Sequence, residues 1–165
     1  MIFISLIILG AYSVVYAIFF AIFSRSVKNA EKEIVKLFLA KVSKIPALIE
    51  VMRPHVAEES AFDRLTLLHS ESMIQAYNSI YDLLEHNARI HDQFLFLMKL
   101  SVHIPSLQRK AYFLYIRDFI IAYDRDMQSK FSVFNTSVSD WNRFVIIKNM
   151  TIIGLVLPGR SKMRV

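Results

Sequence analysis

The sequence predicts an all-α protein: a single N-terminal transmembrane helix that continues into an antiparallel four-helix, up-and-down bundle. Three observations carry that expectation. Residues 1–23 hold no charged side chain. Beyond them, apolar residues recur three and four apart over long stretches, the period of one helix face. The 165 residues include only 3 Gly and 4 Pro, so little interrupts a helix, and strand signals are nearly absent. At 55% hydrophobic and 21% charged, the chain is too apolar for a simple water-soluble domain and too charged for a polytopic channel. Its length suits one domain plus an anchor.

The first element, Met1 to Phe23, is broken only weakly by Ser5, Gly10 and Ser13. At about 1.5 Å per residue it reaches roughly 34 Å, enough for a hydrocarbon core of about 30 Å. A cleaved signal peptide fits less well, because no basic stretch precedes the run and the run is too long. Arg25, Lys28, Lys32 and Lys36 follow the span, whereas only the α-amino group precedes it. Basic flanks stay inside, so a single-pass protein of the cell (inner) membrane with most of its chain in the cytoplasm is expected.

Val27, Ala30, Ile34, Leu37 and Lys41/Val42 then continue the helix as an amphipathic stem. Ser43-Lys44-Ile45-Pro46 is the first break, with Ser43 as cap and Pro46 at an early helical position. A second helix is expected from Pro46 towards Tyr77, with Leu48, Val51/Met52, Phe62, Leu65 and Met73 inward and Pro54 kinking or restarting it. A third covers about Ser79 to Ser101, and His103-Ile104-Pro105 makes the next turn. The last runs from about Leu107 to Ile146, where Ile116, Ile120, Tyr123, Met127, Phe131, Phe134, Val138, Trp141 and Val145 form one stripe. Such stripes must be buried against one another, and short turns favour antiparallel neighbours. The division is therefore 1–23 as span, 24–147 as bundle and 148–165 as an apolar, then basic, tail.

The net charge of +6 is concentrated at the ends. Residues 24–44 carry six basic and two acidic side chains, residues 45–142 nine basic and twelve acidic, and residues 143–165 five basic and none acidic. A net acidic middle argues against nucleic acid as a partner. The basic groups Arg25, Lys28, Arg160, Lys162 and Arg164 flank apolar segments and suit a membrane surface. Met150 to Leu157 is too short to span. Folding back on the bundle and docking on the membrane both remain open for it. Docking follows if three reversals bring the last helix back to the membrane from which the first one rises.

Several segments resemble the LemA family. Lys44-Ile45-Pro46-Ala47-Leu48-Ile49-Glu50-Val51 is similar to the "IPxLVxxV" opening of that family's second helix, and Ile104-Pro105-Ser106-Leu107 to its "YPxL" turn. Phe134-Asn135-Thr136-Ser137-Val138-Ser139-Asp140-Trp141-Asn142 resembles "YNxxVxxYNxxI", and the tail Ile152–Gly159 stands where the family has "LIAGLFGF". Val42-Ser43-Lys44 replaces the usual paired Arg, and Ala57-Glu58 the usual "His-Glu". The resemblance spans the chain as a divergent member. It implies a membrane helix and a four-helix bundle; the reading taken for this chain is a non-enzymatic scaffold or interaction protein at the membrane surface, with an accessory subunit of a transporter or signalling complex, or a metal-binding bundle, as the alternatives.

The residues themselves agree with that expectation. Without cysteine there is no thiolate metal site or disulfide. The three glycines stand apart at 10, 154 and 159, so no phosphate loop exists, and no serine lies in a nucleophile elbow. Asp82, Glu85, His86, His91 and Asp92 form the one tempting cluster. A di-metal bundle needs Glu-x-x-His pairs, none occurs, and the two histidines are five apart. This segment is expected to be a solvated turn. His55 with Glu58 and Glu59 lacks a partner pair. No catalytic, metal or cofactor residue, and no small-molecule substrate, is expected. Asn135 and Asn142 lie two turns apart on one face, each after or beside an aromatic. With Phe134, Val138 and Trp141 they read as a packing signature whose amides bond across the bundle, or as a surface for a protein partner or for self-association.

Overall fold

The computed structural model describes residues 2–74, 77 and 79–149, leaving aside the side chains at 2, 4–9 and 147–149. All regular structure among them is helical: α1 Ile2–Val42, α2 Ile45–Met52, α3 Ser60–Ile74, α4 Ile80–Val102, α5 Pro105–Gln108 and α6 Ala111–Asn149, with a 3-10 turn at Arg53–His55. The expected helical bundle is thus present in its coarse form. Among the described residues no helix is long and apolar enough to cross a membrane. Met1 and the side chains of Ile2 and residues 4–9, which belong to the uncharged run, lie outside that description.

The breaks have local causes. Ser43 does not cap the next helix. Its Oγ donates back to the Ala40 carbonyl at 2.8 Å, and Lys44 takes the cap position without a side-chain bond. Pro46 sits in the first turn of α2, where its missing N–H costs nothing. Pro54 ends α2 outright: the chain passes through the 3-10 turn, Val56 becomes extended, and α3 starts afresh at Ser60. Of the two effects expected of Pro54, a kink or a restart, the restart is the one observed. That reset shifts the inward phase, so Met73 is 67% exposed while Ser72 and Leu68 are buried. Ser79 begins α4 in extended geometry and its Oγ accepts the Asp82 N–H at 3.1 Å, an N-cap worth about 1 kcal/mol. The second expected turn also holds: Ile104, restricted by the following Pro105, leaves the helical region, and Gln108 Nε2 donates to the Ser101 carbonyl at 3.0 Å.

By contact the chain forms two compact units, Ile34–Ser129 and the pair of segments Met1–Glu33 with Lys130–Val165. In the first, Phe38, Leu48, Met52, Phe62, Leu65, Leu83, Phe94, Leu97, Phe113 and Ile116 close a core drawn from all six helices together with Leu107. In the second, α1 and α6 run antiparallel: Ser26 meets Ser137 at 3.1 Å, Phe20 meets Trp141 at 5.2 Å and Tyr16 stacks on Phe144 at 5.1 Å. Val27, Phe134, Val138, Trp141 and Val145 are buried there, as the α6 stripe requires.

Candidate functional site

Within residues 34–129, the most unusual chemistry is a lysine in the core. The register of α1 buries Ile34, Phe38, Lys41 and Val42 together, and the Lys41 side chain is 0% exposed. Its ammonium donates to Asp124 Oδ1 at 2.6 Å and to Asn87 Oδ1 at 2.9 Å. Asp124 projects from α6 between the buried Ile120 and Met127, and Asn87 from α4. The second carboxylate oxygen of Asp124 lies 2.9 Å from His91 Nδ1. Three helices are thereby tied by one ionic knot. Burial holds the Lys41 pKa below its ordinary value, and the Asp124 carboxylate opposes that shift.

His91 is the exit of the knot. Its side chain is 39% exposed and lines a groove of about 610 Å³ with Phe94, Met98, Arg117, Ile121 and Arg125. The groove places a titratable ring, two guanidinium groups and an apolar floor side by side. Lys41 itself is not presented there, so its amine is not within reach of a substrate. Both Asp124 oxygens are engaged. The arrangement fixes the packing of α1, α4 and α6 and exposes one edge of a charged network.

Another histidine, this one in the core, is fully satisfied. His86 Nε2 stands 2.8 Å from Ser72 Oγ and 3.1 Å from the Leu68 carbonyl, while Nδ1 faces Arg89 at 3.4 Å. An acceptor Nδ1 towards Arg89 and a protonated Nε2 towards Leu68 satisfy these partners together. The expectation that Asp82, Glu85, His86, His91 and Asp92 form a solvated turn is corrected by this geometry. All five stand inside α4, and His86 points into the core. The helix expected over Ser79 to Ser101 is present as Ile80–Val102, so these residues lie along it and not in a turn, with Asp82, Glu85 and Asp92 exposed on its outer side. Among the described residues no three or more His, Asp or Glu side chains are grouped to hold a metal ion.

The residues expected to form a packing signature or a partner surface separate into packing and partial exposure. Phe134, Val138 and Trp141 are buried in the α1–α6 unit, and Asn135 and Asn142 are half-buried. Among the described residues Asn135 Oδ1 is buried without a hydrogen-bond partner, so the hydrogen bond expected of its amide across the bundle is not made by that atom. Arg25 and Lys28 are exposed, whereas Arg160, Lys162 and Arg164 lie outside the described residues, as does the tail 150–165.

Lys41 and Asp124 were not singled out as a pair by sequence reasoning. A signal existed: each is a charged residue in an otherwise apolar register, and such a residue needs a buried counter-ion. Which charge answers which depends on helix register in three dimensions. In comparison with known proteins, no family model matches the chain and no curated protein matches it in sequence.

Proposed function

We propose that this chain is a membrane-anchored, non-enzymatic helical-bundle protein of the LemA type that acts as a scaffold or interaction protein at the membrane surface. The supporting observation is the outer face of α1. Along a run with no charge, Phe3, Val14, Val15, Ile18, Phe19 and Ile22 are all exposed, Phe3 by 81%. At 100° per residue these positions cover roughly half of the helix circumference. An uncovered apolar face of this extent is unfavourable in water and is matched by lipid. Residues 1–23 insert together with the end of α6 that packs on Tyr16 and Phe20 through Phe144 and Trp141, residues 34–129 lie on the cytoplasmic side, and Arg25 and Lys28 meet the headgroups.

The role follows from position rather than from a reacting group. The anchor confines the bundle, whose exposed helix faces recruit a protein partner or a second copy. Alkaline carbonate extraction of membranes is the direct test of the anchor. Retention in the pellet supports it, and release into the wash overturns it. Cross-linking in intact membranes then reads the role. A reproducible partner in a transporter or signalling complex would make the chain an accessory subunit, and adducts of the chain with itself would favour self-association.

A further inference from the structure

We propose that the groove between α1 and α6 in the unit formed by residues 1–33 and 130–149 holds one phospholipid whose headgroup carries an ammonium beside its phosphate. The inference rests on the membrane reading above and specifies what the anchored protein binds there. The groove has a volume of about 590 Å³, within the roughly 300–1,000 Å³ common for small-ligand sites. Val15, Tyr16, Phe19 and Phe144 are among its aromatic and aliphatic walls, and Asp140 and Arg143 bring charge to the lining.

The two charges decide the ligand class. Asp140 and Arg143 are three residues apart on α6 and so share one face, about 5–6 Å apart at Cβ. Among the described residues neither has an ion pair, hydrogen bond or ring contact. Val15 and Phe19 precede the end of the uncharged run at Phe23 by eight and four residues, which sets the groove about 6–12 Å inside that end. Ionisable side chains beside a span are costly unless they find partners or reach the headgroups. A phosphate answers Arg143, whose planar guanidinium forms two parallel bonds with such an oxyanion. A purely anionic headgroup would leave Asp140 opposed to it, whereas an ammonium two or three bonds beyond the phosphate answers that carboxylate. One of the two acyl chains then lies along Val15, Phe19 and Phe144, covering surface that water would otherwise meet, and the other stays in the bilayer.

The full-length chain, stripped of lipid in mild detergent, is offered phosphatidylethanolamine or phosphatidylglycerol in mixed micelles, and retained lipid is counted by mass spectrometry. About one phosphatidylethanolamine per chain is expected. Arg143→Gln should lower retention about tenfold, the loss of one charge-assisted contact. Asp140→Asn should shift the preference towards phosphatidylglycerol, and Val15→Trp should exclude both lipids by filling the groove. Unchanged helical circular dichroism in each variant shows that the fold persists. The proposal is overturned if the wild type resists carbonate yet retains no phospholipid, if it prefers phosphatidylglycerol, or if Arg143→Gln and Val15→Trp retain lipid as the wild type does. Release of the wild type by carbonate sinks the membrane reading and this site with it.

Discussion

The two units of the molecule bury different chemistry in the same kind of helix. Residues 34–129 close around an ion pair: Lys41 and Asp124 lie in the core at 2.6 Å, with Asn87 and His91 completing their bonds. The pair of segments 1–33 and 130–149 closes around rings, with Phe20, Trp141, Phe144 and Tyr16 in contact and a serine pair at Ser26 and Ser137. A buried ion pair contributes little net energy but penalises every packing that separates it, whereas rings stabilise by area and tolerate sliding. The first unit is thus fixed in register by charge, and the second by shape.

Removing one anchor from each unit sharpens that contrast. Trp141 is 1% exposed, and Trp141→Ala should destabilise by about 3–5 kcal/mol, the cost of an aromatic cavity. The loss should appear in hydrogen exchange of residues 130–146 before it appears elsewhere. Lys41→Met should cost about 3 kcal/mol or more, because Asp124 stays buried without its ammonium. The decisive comparison is Lys41→Met with Asp124→Leu together, which should recover most of that loss in denaturant unfolding. A double variant as unstable as the sum of the singles would show that the two side chains act independently and would break the contrast.

Smaller effects follow from pH. The Lys41 pKa is lowered in the fold by desolvation, so the folded state binds that proton less tightly than the unfolded chain. Stability therefore rises as pH passes through the lowered value and the gain is complete by the unfolded value of about 10.5. Read between pH 7 and 10, the wild type should gain stability relative to Lys41→Met. Tyr77, whose phenol is pushed up by burial, acts in the opposite sense only above about pH 10, where the unfolded chain ionises first. His69 is lowered by burial, so its contribution is present above about 6.5 and is lost as pH falls below that. His69→Gln should remove a small part of the acid sensitivity while leaving the alkaline limb unchanged.

Much of the fold was legible because its punctuation is local. Pro46 in a first turn and Ile104 before Pro105 each act through their own backbone, and the α6 stripe is a matter of period alone. The phase beyond Pro54 was not legible. The extended Val56 resets the helix by an amount that no period encodes, and Met73 was assigned inward when Ser72 holds that place. The site was less legible still. Lys41 stands out as a misfit in its stripe, but its partners lie 46 and 83 residues away on other helices. His86 was likewise expected in solvent, since the Ser72 hydroxyl and Leu68 carbonyl that satisfy it come from α3.

The smallest expected effect tests why one polar contact matters and another does not. Ser26 and Ser137 bond at 3.1 Å across α1 and α6, the counterpart in the ring-packed unit of the Lys41 knot. Ser26 is exposed, so when Ser137→Ala removes its partner, water takes over the freed hydroxyl and no buried group is orphaned. The loss should stay near the low end of a neutral hydrogen bond, about 0.5 kcal/mol. Asn87→Ala, by contrast, withdraws an acceptor from an ammonium with 0% exposure, and should cost about 1.5–3 kcal/mol, since no water replaces it. Equal losses for the two variants in parallel unfolding curves would mean that water reaches Lys41 as freely as it reaches Ser26, and the distinction between a core fixed by charge and one fixed by shape would fall.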